Sequence, residues 1–114
     1  MSDVVYKIAS TQDWAEIRAV GGYAGSEIDL RDGYIHLSAA DQVAGTAAKY
    51  FAGRTDLVLL DVDLKPYGAA AVWEPSRGGA LFPHLYARLS ADSIVRARSL
   101  TVTGEGEMVV GDAA

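Results

Sequence analysis

The sequence contains no cysteine, which excludes disulfides and thiolate-held metal sites. Long hydrophobic stretches are missing too. The longest apolar run, residues 69–73, has five members, against the roughly 20 that a membrane-spanning helix needs. Asp3 and Lys7 interrupt any apolar stretch at the start, so no signal peptide is expected. Positive charge is scarce: ten Lys and Arg face fifteen Asp and Glu, a formal net charge of −5. Nucleic acid is therefore an unexpected partner, because binding it takes a basic stripe that displaces counterions. No Walker A loop, H-E-x-x-H helix or nucleophile elbow occurs, and the lone G-x-G, Gly104-Glu105-Gly106, lacks its third glycine.

What is present suits a single folded domain. Half of the 114 residues are hydrophobic and 22% are charged, enough to build one core and too short for two. A soluble, cytoplasmic protein is expected, with residues 1–103 forming the domain and 104–114 a flexible acidic tail.

Residues 4–9 are β-branched and aromatic enough for a strand, followed by a short helix capped by Ser10 or Thr11 and ended by Gly21-Gly22. Residues 21–33, rich in glycine and polar groups, suggest an ordered loop of the kind that often carries function. Residues 34–37 predict a short strand running directly into Ser38, the expected N-cap of a second helix with its apolar stripe at Val43, Ala47 and Phe51. Residues 57–62 give the strongest strand signal. Four consecutive apolar residues at its start predict a central strand buried on both faces. A short strand follows over 71–74, then a turn over 76–79 leading into the segment 81–86, and a terminal strand or strand pair over 94–102. This order is not a regular βα alternation, so the fold class is α+β.

Two places concentrate chemistry. His36 and His84 each interrupt an apolar stretch, Ile35-His36-Leu37-Ser38 and Pro83-His84-Leu85-Tyr86. Each imidazole is either a structural group bonded to backbone or, with both on one cleft, part of a ligand site. A metal held by both histidines with Glu74 or an Asp lacks diagnostic spacing, and no metal is expected. The second place is Trp73-Glu74-Pro75-Ser76-Arg77-Gly78-Gly79. There Arg77 is suited to grip a phosphate and Glu74 to orient a ribose hydroxyl or stabilise a developing cation, unless the segment is simply a solvated turn with an edge Trp73. Lys7, in mid-strand between apolar neighbours, is either exposed or met by a partner.

Tyr6-Lys7-Ile8, Trp14, Tyr23, Gly25-Ser26, the run from Asp32 to Ser38, Gln42, Leu57-Val58-Leu59-Leu60, Trp73-Glu74 and Phe82-Pro83-His84-Leu85-Tyr86 together resemble a small bacterial family, the domain of unknown function 952 (DUF952). The resemblance covers nearly the whole chain. More distantly, the order of elements around His36-Leu37-Ser38 is similar to RNA 2′-phosphotransferases, members of the ADP-ribosyltransferase superfamily. That likeness implies two small packed β-sheets around an NAD cleft with two main helices. It puts Lys7 where such folds contact the nicotinamide ribose, and His36 and Ser38 on the second cleft strand. In this reading His36, Glu74 and Lys7 form the catalytic set, while Ser38, Arg77, His84, Tyr86 and Trp73 contact the cofactor. Arg77 takes the pyrophosphate, Glu74 the developing cation, and Tyr86 and His84 wall the cleft. Lys7 stands where a histidine or arginine is usual in that superfamily. The alternative is a non-catalytic module binding a small metabolite in the same cleft. A third view, a protein-interaction partner, predicts an exposed apolar patch and no enclosed pocket.

Overall fold

The computed structural model describes residues 3–114, with every side chain in that range except that of Arg77. In chain order the elements are β1 (Val4–Ser10), α1 (Thr11–Val20), β2 (Gly22–Tyr23), α2 (Glu27–Asp32), β3 (Ile35–His36), α3 (Val43–Tyr50), β4 (Leu57–Asp63), β5 (Ala71–Pro75), β6 (Leu81–Leu85), β7 (Leu89–Ser90), β8 (Ile94–Val102) and β9 (Met108–Ala113), with 3₁₀ turns at Lys65–Ala70, Arg77–Gly79 and Ala91–Ser93. The fold is α+β, built from small antiparallel sheets and few helices. No helix among the described residues is long and apolar enough to cross a membrane.

The main sheet has the order β1-β4-β8-β9. Its β4 is central, and residues 57–62 are all buried, as the apolar run predicts. Alternation divides that strand between two cores. Val58, Leu60 and Val62 join Val5 and Ile17 on one face, while Leu57 and Leu59 pack with Leu100 and Ala47 on the other. Each such side chain contributes about 1.5–3 kcal/mol when fully buried. α1 begins as its sequence dictates: Ser10 Oγ accepts from the Asp13 amide at 3.0 Å, and Gly21, at φ 82°, closes the helix in the left-handed region.

A second sheet, β3-β6-β5, faces the first across a seam. One isolated bridge forms it: the Tyr6 amide donates to the Ser38 carbonyl (2.8 Å), and the Ser38 amide donates to the Tyr6 carbonyl (2.9 Å). This bridge corrects the expected N-cap. Ser38 has both backbone groups engaged with β1, so it cannot open a helix. The chain instead turns through 39–42, where Gln42 Oε1 accepts from the Ala39 amide (3.0 Å) and Gln42 Nε2 donates to the Leu81 carbonyl (2.7 Å), and α3 starts only at Val43.

Two further expectations are corrected. The segment 21–33 is not a loop: β2 pairs with β7, and α2 is a helix with a capping box between Ser26 and Asp29. Nor does the domain end at 103. β9 pairs antiparallel with β8, Leu100 opposite Val110, and so supplies an edge strand from the expected tail.

Candidate functional site

Lys7 lies on the same face of β1 as Val5 and Ala9, turned toward the second sheet, and is 7% exposed. A lysine buried this deeply needs partners. Its Nζ donates to Asp29 Oδ2 at 2.8 Å and to the His36 carbonyl at 3.1 Å.

Asp29 is the hub of the site. α2 holds it at the third helical position, 2% exposed, and it accepts from four donors: Lys7 Nζ, the Ser26 amide (2.9 Å), the His36 amide (3.1 Å) and His36 Nδ1 (2.7 Å). Burial alone raises a carboxyl's pKa, but hydrogen bonds from His36 and the neighbouring Lys7 ammonium outweigh it. Asp29 is held well below the usual carboxylate range. Its partner His36 is flanked by carboxylates on both sides, because Nε2 lies 3.0 Å from Asp32 Oδ2 at the end of α2. Asp32 is itself held below its ordinary value, chiefly by the hydrogen bond from Arg31.

The two histidines are directly opposed across the β3–β6 pair, and their ring centroids are 5.8 Å apart. Tyr34 stacks on His84 with centroids 4.0 Å apart, forming an aromatic shelf beside His36. Behind the shelf, Glu74 Oε1 bonds His84 Nδ1 and accepts from Tyr86 Oη, each at 2.7 Å. These two bonds, Tyr86 first, hold Glu74 below the ordinary glutamate value. The same bond pushes the Tyr86 phenol up to about 12.

A cleft of about 290 Å³ opens over the seam, lined by Lys7, Asp29, Tyr34, His36, Ser38 and His84, with Tyr6, Phe51 and Phe82 supplying apolar wall. That volume lies near the lower end of small-molecule sites, which run from about 300 to 1,000 Å³. Ser38 Oγ is hydrogen-bonded to Thr46 Oγ1 at 2.9 Å on the α3 side. A second, more open groove of about 600 Å³ continues past Lys7, Ser26, Ile28 and Arg31 to Asp13 and Arg54. Among the described residues, no group of three or more His, Asp or Glu side chains is arranged as a metal-ligand set.

Of the residues singled out from sequence, Lys7, His36, Ser38 and His84 meet in one cleft. Glu74 and Tyr86 do not line it; they reach it through His84 and Tyr34. Trp73, between Val72 and Glu74 on β5, points to the other face of that sheet, outside the cleft wall and 39% exposed. The Arg77 side chain lies outside the described residues; its neighbour Ser76 lines the cleft. Asp29, Asp32 and Tyr34 were missed. The spacing Ser26-x-x-Asp29 was the one available signal, a capping box inside what read as loop.

Comparison with known proteins agrees with this architecture. The crystal structure of protein CC0527 from Caulobacter crescentus is 45% identical over 93% of each chain, with a TM-score of 0.87. The solution NMR structure of CC0527 is 46% identical, covers 92% of this chain and 90% of that one, and has a TM-score of 0.81. No curated protein matches the chain. Residues 8–97 match the family described as protein of unknown function (DUF952). With the match running over most of the chain and over every residue of the cleft named above except Tyr6 and Lys7, the chain belongs to the DUF952 family.

Proposed function

We propose that the cleft binds a phosphorylated nucleotide of the NAD class, in the manner of an ADP-ribosyltransferase-like domain. The observation that carries this reading is the meeting of Lys7 from one sheet with His36 and Ser38 from the other, across a single bridged seam. The resemblance to RNA 2′-phosphotransferases implies that same juxtaposition around a nicotinamide ribose. The Tyr34–His84 shelf supports it, since a flat heteroaromatic base stacks on such a surface. So does size: the cleft suits a base with its ribose, and the adjoining groove suits the rest of a dinucleotide. Arg77, next in the chain after the lining residue Ser76, is assigned to the pyrophosphate.

One observation favours a second reading, binding without turnover. Glu74 is bonded to His84 and Tyr86 and does not line the cleft, so it is not directly available to a developing ribosyl cation.

Calorimetric titration with NAD and ADP-ribose, on the wild type and Tyr34→Ala, tests the proposal. Stacking of a base on an aromatic ring is worth about 1–3 kcal/mol, so the variant should lose roughly tenfold or more in affinity. Absence of binding by the wild type overturns the proposal. Release of nicotinamide in the presence of an acceptor separates transferase from binding module.

A further inference from the structure

The two imidazoles of the cleft are not equivalent. His36 has a carboxylate oxygen on each ring nitrogen, Asp29 on Nδ1 and Asp32 on Nε2. It is committed on both sides and serves to tie α2 to β3. His84 is different. Its side chain is only 4% exposed, and its Nδ1 faces Glu74 Oε1 at 2.7 Å. Its Nε2 has no hydrogen-bond partner among the described residues. That atom is not sealed in the interior either, because the buried unpartnered side-chain polar atoms among the described residues are Trp14 Nε1 and Arg98 Nε. Since His84 lines the cleft, Nε2 opens into it.

Glu74 fixes what that nitrogen offers. An ionised carboxylate only accepts, so the proton of a neutral imidazole must sit on Nδ1, leaving Nε2 with its lone pair exposed. Tyr86 donates to the same Oε1 and holds the carboxylate in place, while Tyr34 covers one face of the ring and fixes its plane.

We propose that His84 Nε2 is the hydrogen-bond acceptor by which the cleft recognises a ligand hydroxyl, with Glu74 as the positioning residue that sets its tautomer. The ligand class is one that brings a hydroxyl group to the aromatic shelf, such as a ribose beside a flat base; this choice of source rests on the nucleotide reading above. The acceptor nitrogen itself does not. The assignment also moves Glu74 from contact with the ligand to control of the residue that makes it.

Long-range proton–nitrogen correlation spectra of the full chain at pH 8, without ligand, read the tautomer directly. His84 should show a protonated Nδ1 and a bare Nε2; a proton on Nε2 overturns the proposal. Glu74→Leu should dissolve this into a mixture of tautomers, whereas Glu74→Gln, which keeps a carbonyl acceptor, should preserve it. An unchanged spectrum in Glu74→Leu removes Glu74 from the positioning role. Acylation by diethyl pyrocarbonate, located by mass spectrometry, supplies the second measurement. His84 should be modified and His36 spared; an unreactive His84, or His36 reacting in its place, overturns the proposal. Protection of His84 by NAD is expected. Modification without protection would overturn the nucleotide reading and leave the acceptor role of His84 standing.

Discussion

Replacing Asp29 by alanine should be among the most damaging single changes in this protein. The carboxylate is 2% exposed and takes hydrogen bonds from Lys7, His36 Nδ1 and two backbone amides. Its loss strands the ammonium of Lys7, itself 7% exposed, with the His36 carbonyl as its remaining partner. Removing one member of a buried ion pair costs about 3–5 kcal/mol. The two amides would add about 1–3 kcal/mol each if they stayed dry, but the open cleft beside them admits water and trims that addition. An expected loss of about 3–5 kcal/mol is roughly a fifth or more of the stability of a typical domain, which is about 5–15 kcal/mol. Urea denaturation followed by tryptophan fluorescence measures it, provided the slope with denaturant is unchanged. Lys7→Met combined with Asp29→Leu should recover part of the loss, since no charge is then left stranded. The advantage of the wild type over Asp29→Ala should also depend on pH. Asp29 titrates lower folded than unfolded, so folding favours its ionised form. Its contribution is complete above the ordinary aspartate value and is lost as the pH falls toward the depressed folded one. The two proteins should therefore converge in acid. A cost below about 1 kcal/mol at pH 7, or a gap that widens in acid, would refute the reasoning.

Gly25→Ala should destabilise through α2. Gly25 has φ +125°, and an added Cβ would lie 2.6 Å from Asp29 Cβ. About 1–3 kcal/mol of backbone strain is expected, read as an earlier urea midpoint, and an unchanged midpoint would count against it. In an alkaline absorbance titration, Tyr86 should ionise near its raised value of about 12, and Glu74→Gln should return it toward the ordinary tyrosine range. Folding favours the neutral phenol, so the contribution of this bond is complete below the ordinary value and is lost as the pH rises through the raised one.

The elements whose evidence is local were legible in the sequence. The run at 57–60 identified the central strand because a strand between two others, with a core on each face, needs apolar residues at consecutive positions. Ser10 and Gly21 marked the ends of α1 because caps act within one turn. Where partners are distant, the sequence was silent. Asp29 acquires its meaning from Lys7, 22 residues earlier, and from His36, and neither spacing is periodic. Ser38 looked like a cap because Asp41 follows at the matching position, yet its backbone was already committed to Tyr6. β9 was hidden by its flanking glycines and acids, although Met108-Val109-Val110 carries a short strand pattern. Of the site, both histidines were found from their apolar surroundings. Which of their nitrogens is open depends on carboxylates that only folding brings to them.

The pairing of His36 with His84 has a consequence for how this domain avoids misfolding. Ile35 and Leu85 are the neighbouring pair in the same ladder, and both are fully buried. A slip of one residue between β3 and β6 would drive an imidazole into the apolar interior and push a leucine or isoleucine out to water. The wrong alignment thus carries its own penalty at two adjacent positions. The residues that give the cleft its chemistry also serve as proofreaders of the strand alignment, so a drift in sequence that erased the site would loosen the register as well.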